Sequence, residues 1–440
     1  MSNNNGRLGN VGIITLGCAR NIVDSQKIIG KFKRNGYEFV SDIKDADMAI
    51  VNTCAFVEDA KLESIEAILE LIELKKKGRL KKIVVAGCLS QRYRDELANE
   101  FREVDEFIGV ETLDRDELPT DISLTPAHFA YLKICESCYH KCSFCVIPKI
   151  KGRFLSRSID SILEEVRKLN KRGIKELNII GQDITAYGID IYGERSLARL
   201  LKSIISVAEN IDWIRLLYMH PVNITDELID LIAYEDKICK YVDIPLQHIN
   251  DDILSKMNRN TNKKYILDLI RKIRDRVSDV CIRTTFIVGF PSETDEQFSE
   301  LMEFVDEIRF NRLGAFIFSR EETTPAYSMS PQIPDEIKAM RYDALMRLQQ
   351  EISSSLMRGF IGRTIKVLVD KQIESESDVP EYIIKHLPKG INYIGRSEYD
   401  APEVDGTVII NTANKQLHSG ELVTVKINKA FEYDLLGELI

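Results

Sequence analysis

The 440-residue chain lacks any run of ~18 uninterrupted apolar residues, so no segment reads as a membrane-spanning helix. Its first residues, MSNNNGRLGN, have no apolar core of the kind that directs secretion, and the chain is expected to stay in the cytoplasm. It lacks an excess of positive charge: 60 Lys and Arg stand against 69 Asp and Glu, a net of −9, which argues against broad electrostatic attachment to nucleic acid. No Gly-rich phosphate loop follows the early strands, which weakens a flavodoxin-like nucleotide-binding role. Low-complexity tracts and internal repeats are missing too. What remains is 44% apolar residues, enough for about three domains at ~150 residues each. Nine cysteines also remain. In a large chain without a secretion signal, metal ligation, catalysis or simple burial explains cysteine better than disulfides do.

Three segments differ in their patterning. The first ~110 residues alternate short apolar runs, VGIITL (11–16), MAIVNT (48–53) and KIVVAG (82–87), with helical patterns over 21–35, 57–75 and from about Ser90. Continuous apolar strands between helices predict a parallel sheet covered on both faces. Residues 114–128 are polar, hold two prolines and read as a linker. The second segment repeats the alternation with strands at 130–134, 176–180, 213–218, 241–246, 282–288 and 314–319. Six units suit a partial barrel, with a doubly wound sheet as the alternative. A Met- and Leu-rich helix spans about 334–357. From Gly362 short strands (TIKVLVD, YIIKH, NYIGRSE, GTVIIN, LVTVKI) are separated by turn signals, which predicts a small all-β barrel. The domains are therefore expected at 1–118, 125–356 and 357–440. The basic run KKKGRLKK (75–82) reads as a solvated turn.

The cysteines form two sets of three and three bystanders. Cys138, Cys142 and Cys145 lie within eight residues, just after the first strand of the middle segment. Iron–sulfur clusters are held by thiolates at such spacings, and three ligands leave one iron of a four-iron cluster open. A zinc site completed by Cys135 and His140 or by a distant ligand is the competing reading. Cys18, Cys54 and Cys88 are far apart in sequence, yet each directly follows an apolar strand. In a parallel sheet those are carboxyl ends, where ligands gather, so the three could hold a second cluster. Three inert buried thiols would give the same pattern. Cys239 and Cys281 read as core thiols, and Cys135 should point away from its neighbours.

A CxxxCxxC motif after the first strand of a β/α repeat is similar to the hallmark of radical S-adenosylmethionine enzymes. The full chain resembles a methylthiotransferase of that superfamily, through LGCARNIVDS (16–25), VNTCAFVEDAKLES (51–64), GCLSQRY (87–93), FCVIPKIKG (144–152), GQDITAYG (181–188), DIPLQH (243–248) and FIVGFPSET (286–294). The resemblance implies an N-terminal three-cysteine domain, a radical (β/α)6 barrel and a C-terminal OB-like TRAM barrel. It implies two 4Fe-4S clusters and S-adenosylmethionine as cofactors. The Cys138, Cys142 and Cys145 cluster would cleave that cofactor to a 5′-deoxyadenosyl radical, and the Cys18, Cys54 and Cys88 cluster would carry or deliver sulfur. Cofactors suit such work, because His or Glu cannot deprotonate an unactivated C–H bond near neutral pH. Phe144 resembles the aromatic near the adenine, although core packing would also account for it. Gly181, Gln182 and Asp183 resemble a motif near the methionine amine, with a plain turn as the alternative. Gly289, Pro291 and Ser292 suit either a cofactor contact or a turn with Ser292 capping the next helix. Ser137, Tyr139 and Glu322-Thr323 depart from the family's usual residues and leave both cysteine sets intact.

One branch of this family modifies a tRNA adenosine beside the anticodon; another modifies an aspartate of ribosomal small-subunit protein S-twelve. From Met357 onward 10 Lys and Arg face 13 Asp and Glu. An RNA-gripping module should be basic. An acidic one suits a basic protein partner. GRSEYDAPEVDG (395–406), AFEYDLLGEL (430–439) and NIVDS also resemble the protein-modifying branch, which is the expected one. A flavodoxin- or ferredoxin-type electron donor, no membrane and a monomeric state complete the expectation. A non-enzymatic iron–sulfur or zinc protein bound to the ribosome stands as a third class, separable by its failure to cleave the cofactor.

Overall fold

A computed structural model describes residues 8–110 and 122–440. Most of the expected linker, 114–121, lies outside the described residues.

The first sheet holds β1 (Gly9–Thr15), β2 (Tyr37–Phe39), β3 (Met48–Thr53), β4 (Lys82–Gly87) and β5 (Glu106–Ile108), in the order β2-β1-β3-β4-β5. Every pairing is parallel. Ile50, Val51, Val84 and Val85 are fully buried, as continuous apolar runs require when helices cover both faces. The basic run at 75–82 lies at the surface with Lys75 on Asp105, Lys81 on Asp47 and Lys82 on Glu106.

The middle of the chain contributes β6 (Phe129–Lys133), a small antiparallel pair β7 (Cys135–Glu136) and β8 (Leu155–Ser156), then β9 (Glu176–Ile180), β10 (Trp213–Leu216), β11 (Ile238–Gln247), β12 (Cys281–Val288) and β13 (Arg312–Ile317). The six long strands form one open parallel sheet, β13-β12-β11-β10-β9-β6, with helices between them. This is the partial (β/α)6 barrel expected from six units. The helix Asp335–Arg358 then leads into a closed barrel of β14 (Thr364–Gln372), β15 (Asn392–Ser397), β16 (Val408–Asn411), β17 (Leu422–Ala430) and β18 (Leu435–Leu439).

Two local expectations fail. YIIKH is not a strand: Glu381–Ile384 is a short helix started by Pro380, and the fifth strand is Leu435–Leu439. A three-residue apolar run carries too little periodicity to separate strand from helix, and proline favours a helix start. Ser292 does not cap the helix Asp295–Ile308; Thr294 does, in a reciprocal capping box with Gln297.

Three apolar surfaces meet in one cluster that orients the site. The helix Ala19–Arg34 inserts Val23 among Phe129, Tyr131, Ile180 and Leu217 of the six-stranded sheet, beside Leu368 and Ala401 of the closed barrel. Charge locks the last junction. Glu176 is fully buried and accepts from Arg215 and from Arg396, while Arg396 also binds Asp370 and Asp370 binds His128.

Candidate active site

Cys18, Cys54 and Cys88 follow β1, β3 and β4, which are adjacent in the sheet. Strands ~4.8 Å apart thus bring thiols 70 residues apart in sequence to one edge. Two glycines make the approach feasible. Gly17 has φ +86°, and a Cβ there would lie 2.9 Å from the Cys54 Cβ. Gly87 has φ +95°, and a Cβ there would lie 2.3 Å from the Asn52 side-chain oxygen. Asn52 is needed where it stands, since it donates to the Asn21 carbonyl and to Ser25 Oγ at 2.9 Å each. Asn21 in turn donates to the Leu16 carbonyl at 2.7 Å. Ser64 receives the Cys54 N–H at 3.0 Å and donates back to the Cys54 carbonyl at 2.9 Å.

The second set sits in the loop between β7 and the helix Ile147–Lys151. Ser137 opens that loop at φ +62°, a conformation that favours glycine, and its hydroxyl donates to the Gly152 carbonyl at 2.6 Å. The loop is pinned from the far side by Ser143 on the Met257 and Lys256 carbonyls and by Asn258 on the Lys141 carbonyl.

Burial, with neighbouring thiols adding to it, raises several of these cysteines. Burial pushes the Cys88 thiol up to about 12, with Cys54 and Cys18 adding to the rise and Lys151 opposing it. Burial also pushes Cys138 and Cys145 up to about 12, each acting with Cys142 nearby. Cys18 is the exception. Burial would raise it, but the Arg20 guanidinium and a hydrogen bond from Arg20 Nε at 3.3 Å hold it below the ordinary thiol range. Arg259 likewise aims Nη1 at Cys142 Sγ, 3.5 Å away.

These residues fit iron–sulfur clusters better than single ions. Among the described residues no three His, Cys, Asp or Glu groups converge tightly enough to hold one metal ion. A cluster of iron and sulfide spreads its three ligands wider than one ion does, and arginine donors beside ligand sulfurs are the surroundings that tune such a cluster. His140 is not in a ligand set: it is held by Asp183 at 3.1 Å and stacks on His220.

Comparison with known proteins fits this layout. Residues 10–109 match the uncharacterized protein family UPF0004, residues 132–305 the radical SAM superfamily and residues 361–440 the TRAM domain. The chain is 41% identical to the ribosomal protein uS12 methylthiotransferase RimO of Clostridioides difficile (strain 630), over 98% of each chain. It is 45% identical to the RimO of Thermoanaerobacter sp. (strain X514), over 98% of this chain and 99% of that one. The chain belongs to the RimO family. It is a radical S-adenosylmethionine methylthiotransferase, of a family that works with that cofactor and with [4Fe-4S] clusters. Its fold is shared with TsrM, a radical S-adenosylmethionine methyltransferase from Kitasatospora setae solved with tryptophan and a cofactor analogue, at TM-score 0.54 and 14% identity. That match covers 84% of this chain and 79% of the other.

In this RimO-family chain the other expected site residues fall around the second triplet. Gly181, Gln182 and Asp183 follow β9 at its carboxyl end. Asp183 is 2% exposed and fully engaged. One oxygen accepts from Thr185 and the His220 N–H, the other from His140 and Asn223. It organises the rim, and Gln182 is the freer neighbour, its Oε1 buried without a partner. Phe144 packs against a small apolar cluster with Ile253, Phe290 and Phe318. Cys135 is buried with its thiol on the Asp183 carbonyl at 3.6 Å, and Cys239 and Cys281 lie in the shared apolar core. Sequence reading missed Arg20, Arg259, His220 and a buried charge cluster in which Asp24 and Glu136 each bind both Lys133 and Lys151. Arg20, Asp24 and Lys151 sit inside the quoted family motifs, but the contacts Arg20–Gly181, Asp24–Lys133 and Asp24–Lys151 each span 109 or more residues.

Proposed function

We propose that this chain inserts sulfur and a methyl group at the β-carbon C–H of an aspartate in ribosomal protein uS12. The observation that carries the reading is identity of 41–45% along 97–98% of the chain with proteins named for that reaction. In this reading Cys138, Cys142 and Cys145 hold one cluster, and Cys18, Cys54 and Cys88 hold the other. Phe144, Gly181, Gln182 and Asp183 line the S-adenosylmethionine site. When bound, the clusters and S-adenosylmethionine supply one-electron cleavage to a carbon radical strong enough to take hydrogen from an unactivated C–H bond, and the sulfur that replaces it.

The protein's own part is placement. Asp183 fixes His140 and Asn223 at the rim, so the surface offered to the cofactor is set before it binds. Arg259 ties the Cys142 loop to the Pro245 carbonyl at the end of β11. The acidic C-terminal barrel, 10 basic residues against 13 acidic, suits a basic ribosomal protein more than RNA. We take the domains as 1–118, 125–356 and 357–440, and the working form as a cytoplasmic monomer reduced by a flavodoxin- or ferredoxin-type donor. Among the described residues no helix is long and apolar enough to cross a membrane.

Intact-mass measurement of uS12 and nucleoside analysis of tRNA, from strains with and without the gene, test this. A methylthio group lost from uS12 is the expected result. Loss of methylthioadenosine with unchanged uS12 would overturn the reading in favour of the tRNA branch.

A further inference from the structure

One side chain ties the N-terminal triplet to the loop after β9. Arg20 leaves the N-terminal helix two residues after Cys18 and crosses to the barrel. Nε donates to Cys18 Sγ at 3.3 Å, and Nη1 donates to the Gly181 carbonyl at 2.9 Å, 161 residues away. A planar guanidinium can serve two directions at once with fixed geometry, which an ammonium cannot.

The barrel is built to receive it. The Arg20 guanidinium lies over the Tyr218 ring, 4.5 Å from its centroid. Tyr218 has φ +65°, a backbone state that is strained for an aromatic residue and persists only where surroundings enforce it. Here its N–H donates to Asp243 at 2.8 Å and its carbonyl accepts from the Ile184 N–H at 3.2 Å. Asp243 is itself held by Arg283. Released from that backbone state, the ring would leave the guanidinium.

We infer that Arg20, seated on Tyr218, is a positioning residue that sets the register of the N-terminal cluster against the cofactor rim and tunes that cluster through Cys18. Two consequences separate. A donor and a positive charge at a ligand sulfur favour the more negative, reduced cluster, so their loss lowers the reduction potential. The tie to Gly181 fixes distance, so its loss lets the barrel's radical chemistry run without sulfur transfer.

The test uses R20Q, R20K and Y218L in the full chain. For the electronic part, the Cys138, Cys142 and Cys145 positions are replaced by Ala, so that only the N-terminal cluster is loaded. Its midpoint potential is then read by electron paramagnetic resonance during redox titration. R20Q should lower the potential and change the signal. R20K should stay closer to the parent, because charge is kept. For the positional part, the ratio of 5′-deoxyadenosine to methylthiolated product is measured with all cysteines present. It should rise about tenfold or more in R20Q, R20K and Y218L alike, the scale expected of an ångström-level misplacement. Y218L leaves the Arg20 hydrogen bonds chemically available, so it reports even where an Arg20 variant folds poorly. An unchanged potential in R20Q, or an unchanged ratio in both R20K and Y218L, would overturn the inference. The spectroscopic arm needs no substrate, so it stands whichever macromolecule is modified.

Discussion

His140 and His220 stack with ring centroids 3.6 Å apart and planes 13° from parallel. His140 reaches from between two candidate cluster ligands to Asp183, whereas both ring nitrogens of His220 are buried without a partner. Burial, together with Arg259 and His140, depresses His220 strongly, so it stays neutral in the folded chain. The unfolded chain binds that proton below its ordinary value of about 6.5, and folding must then release it. Stability tied to His220 is thus complete above pH 6.5 and falls as pH drops, by up to ~1.4 kcal/mol per unit. The unfolding midpoint of H220F should therefore be less sensitive to acid between pH 7 and 5.5 than that of the parent. Equal sensitivity would mean that His220 takes up a proton while folded.

Iron content gives a direct count of the two sets. Anaerobically reconstituted protein should hold about eight irons, as two four-iron clusters require. Changing Cys18, Cys54 and Cys88 to Ser together should remove about half. Cys142→Ser should abolish 5′-deoxyadenosine formation with dithionite and S-adenosylmethionine. Full iron in the triple variant would leave the sheet-edge thiols as core residues.

Much of this was legible in the sequence, for physical reasons that also mark where it stopped. Cys18, Cys54 and Cys88 could be grouped because each ends an apolar strand, and parallel sheets align such ends. Their neighbourhood in space needed only that β1, β3 and β4 be adjacent, which they are. Cys138, Cys142 and Cys145 could be grouped because their close spacing alone suggests one shared centre. Arg20 and Asp24 were not, since their meaning lies with Gly181 and Lys133 in another domain and no local pattern encodes a contact over 109 residues. The helix at Glu381–Ile384 was misread because four residues hold one turn and no period. Asp183 was singled out by its motif, but its contacts were not readable from it. Its oxygens are spent on Thr185, His140 and Asn223, and the open acceptor beside it belongs to Gln182.

The buried charge cluster between the N-terminal helix and the barrel should be costly to unbalance. Asp24 is 2% exposed and receives Lys133 and Lys151, which are themselves buried. Asp24→Asn keeps the shape and removes the charge, leaving two ammonium groups with Glu136 alone. Breaking one side of such a buried pair costs about 3–5 kcal/mol. A clear fall in the thermal midpoint is expected, and the leucine isostere should be no better. A midpoint within a degree of the parent would show that water or Glu136 already compensates both lysines.

Gly17 offers the sharpest separation of the two clusters by one methyl group. At φ +86° an alanine there is strained by roughly 1–2 kcal/mol, and its Cβ would sit 2.9 Å from the Cys54 Cβ and 3.1 Å from the Cys54 sulfur. Both pressures act on the same thiol. Cys54 cannot retreat freely, because Ser64 holds its N–H and its carbonyl. Gly17→Ala should therefore lose up to half of the reconstituted iron and most sulfur transfer. The Cys138, Cys142 and Cys145 loop is pinned instead by Ser143 on Lys256 and Asn258 on Lys141, neither of which touches Gly17. Formation of 5′-deoxyadenosine should survive. If it fell in step with the iron, the two sites would be coupled through more than the Arg20 bridge.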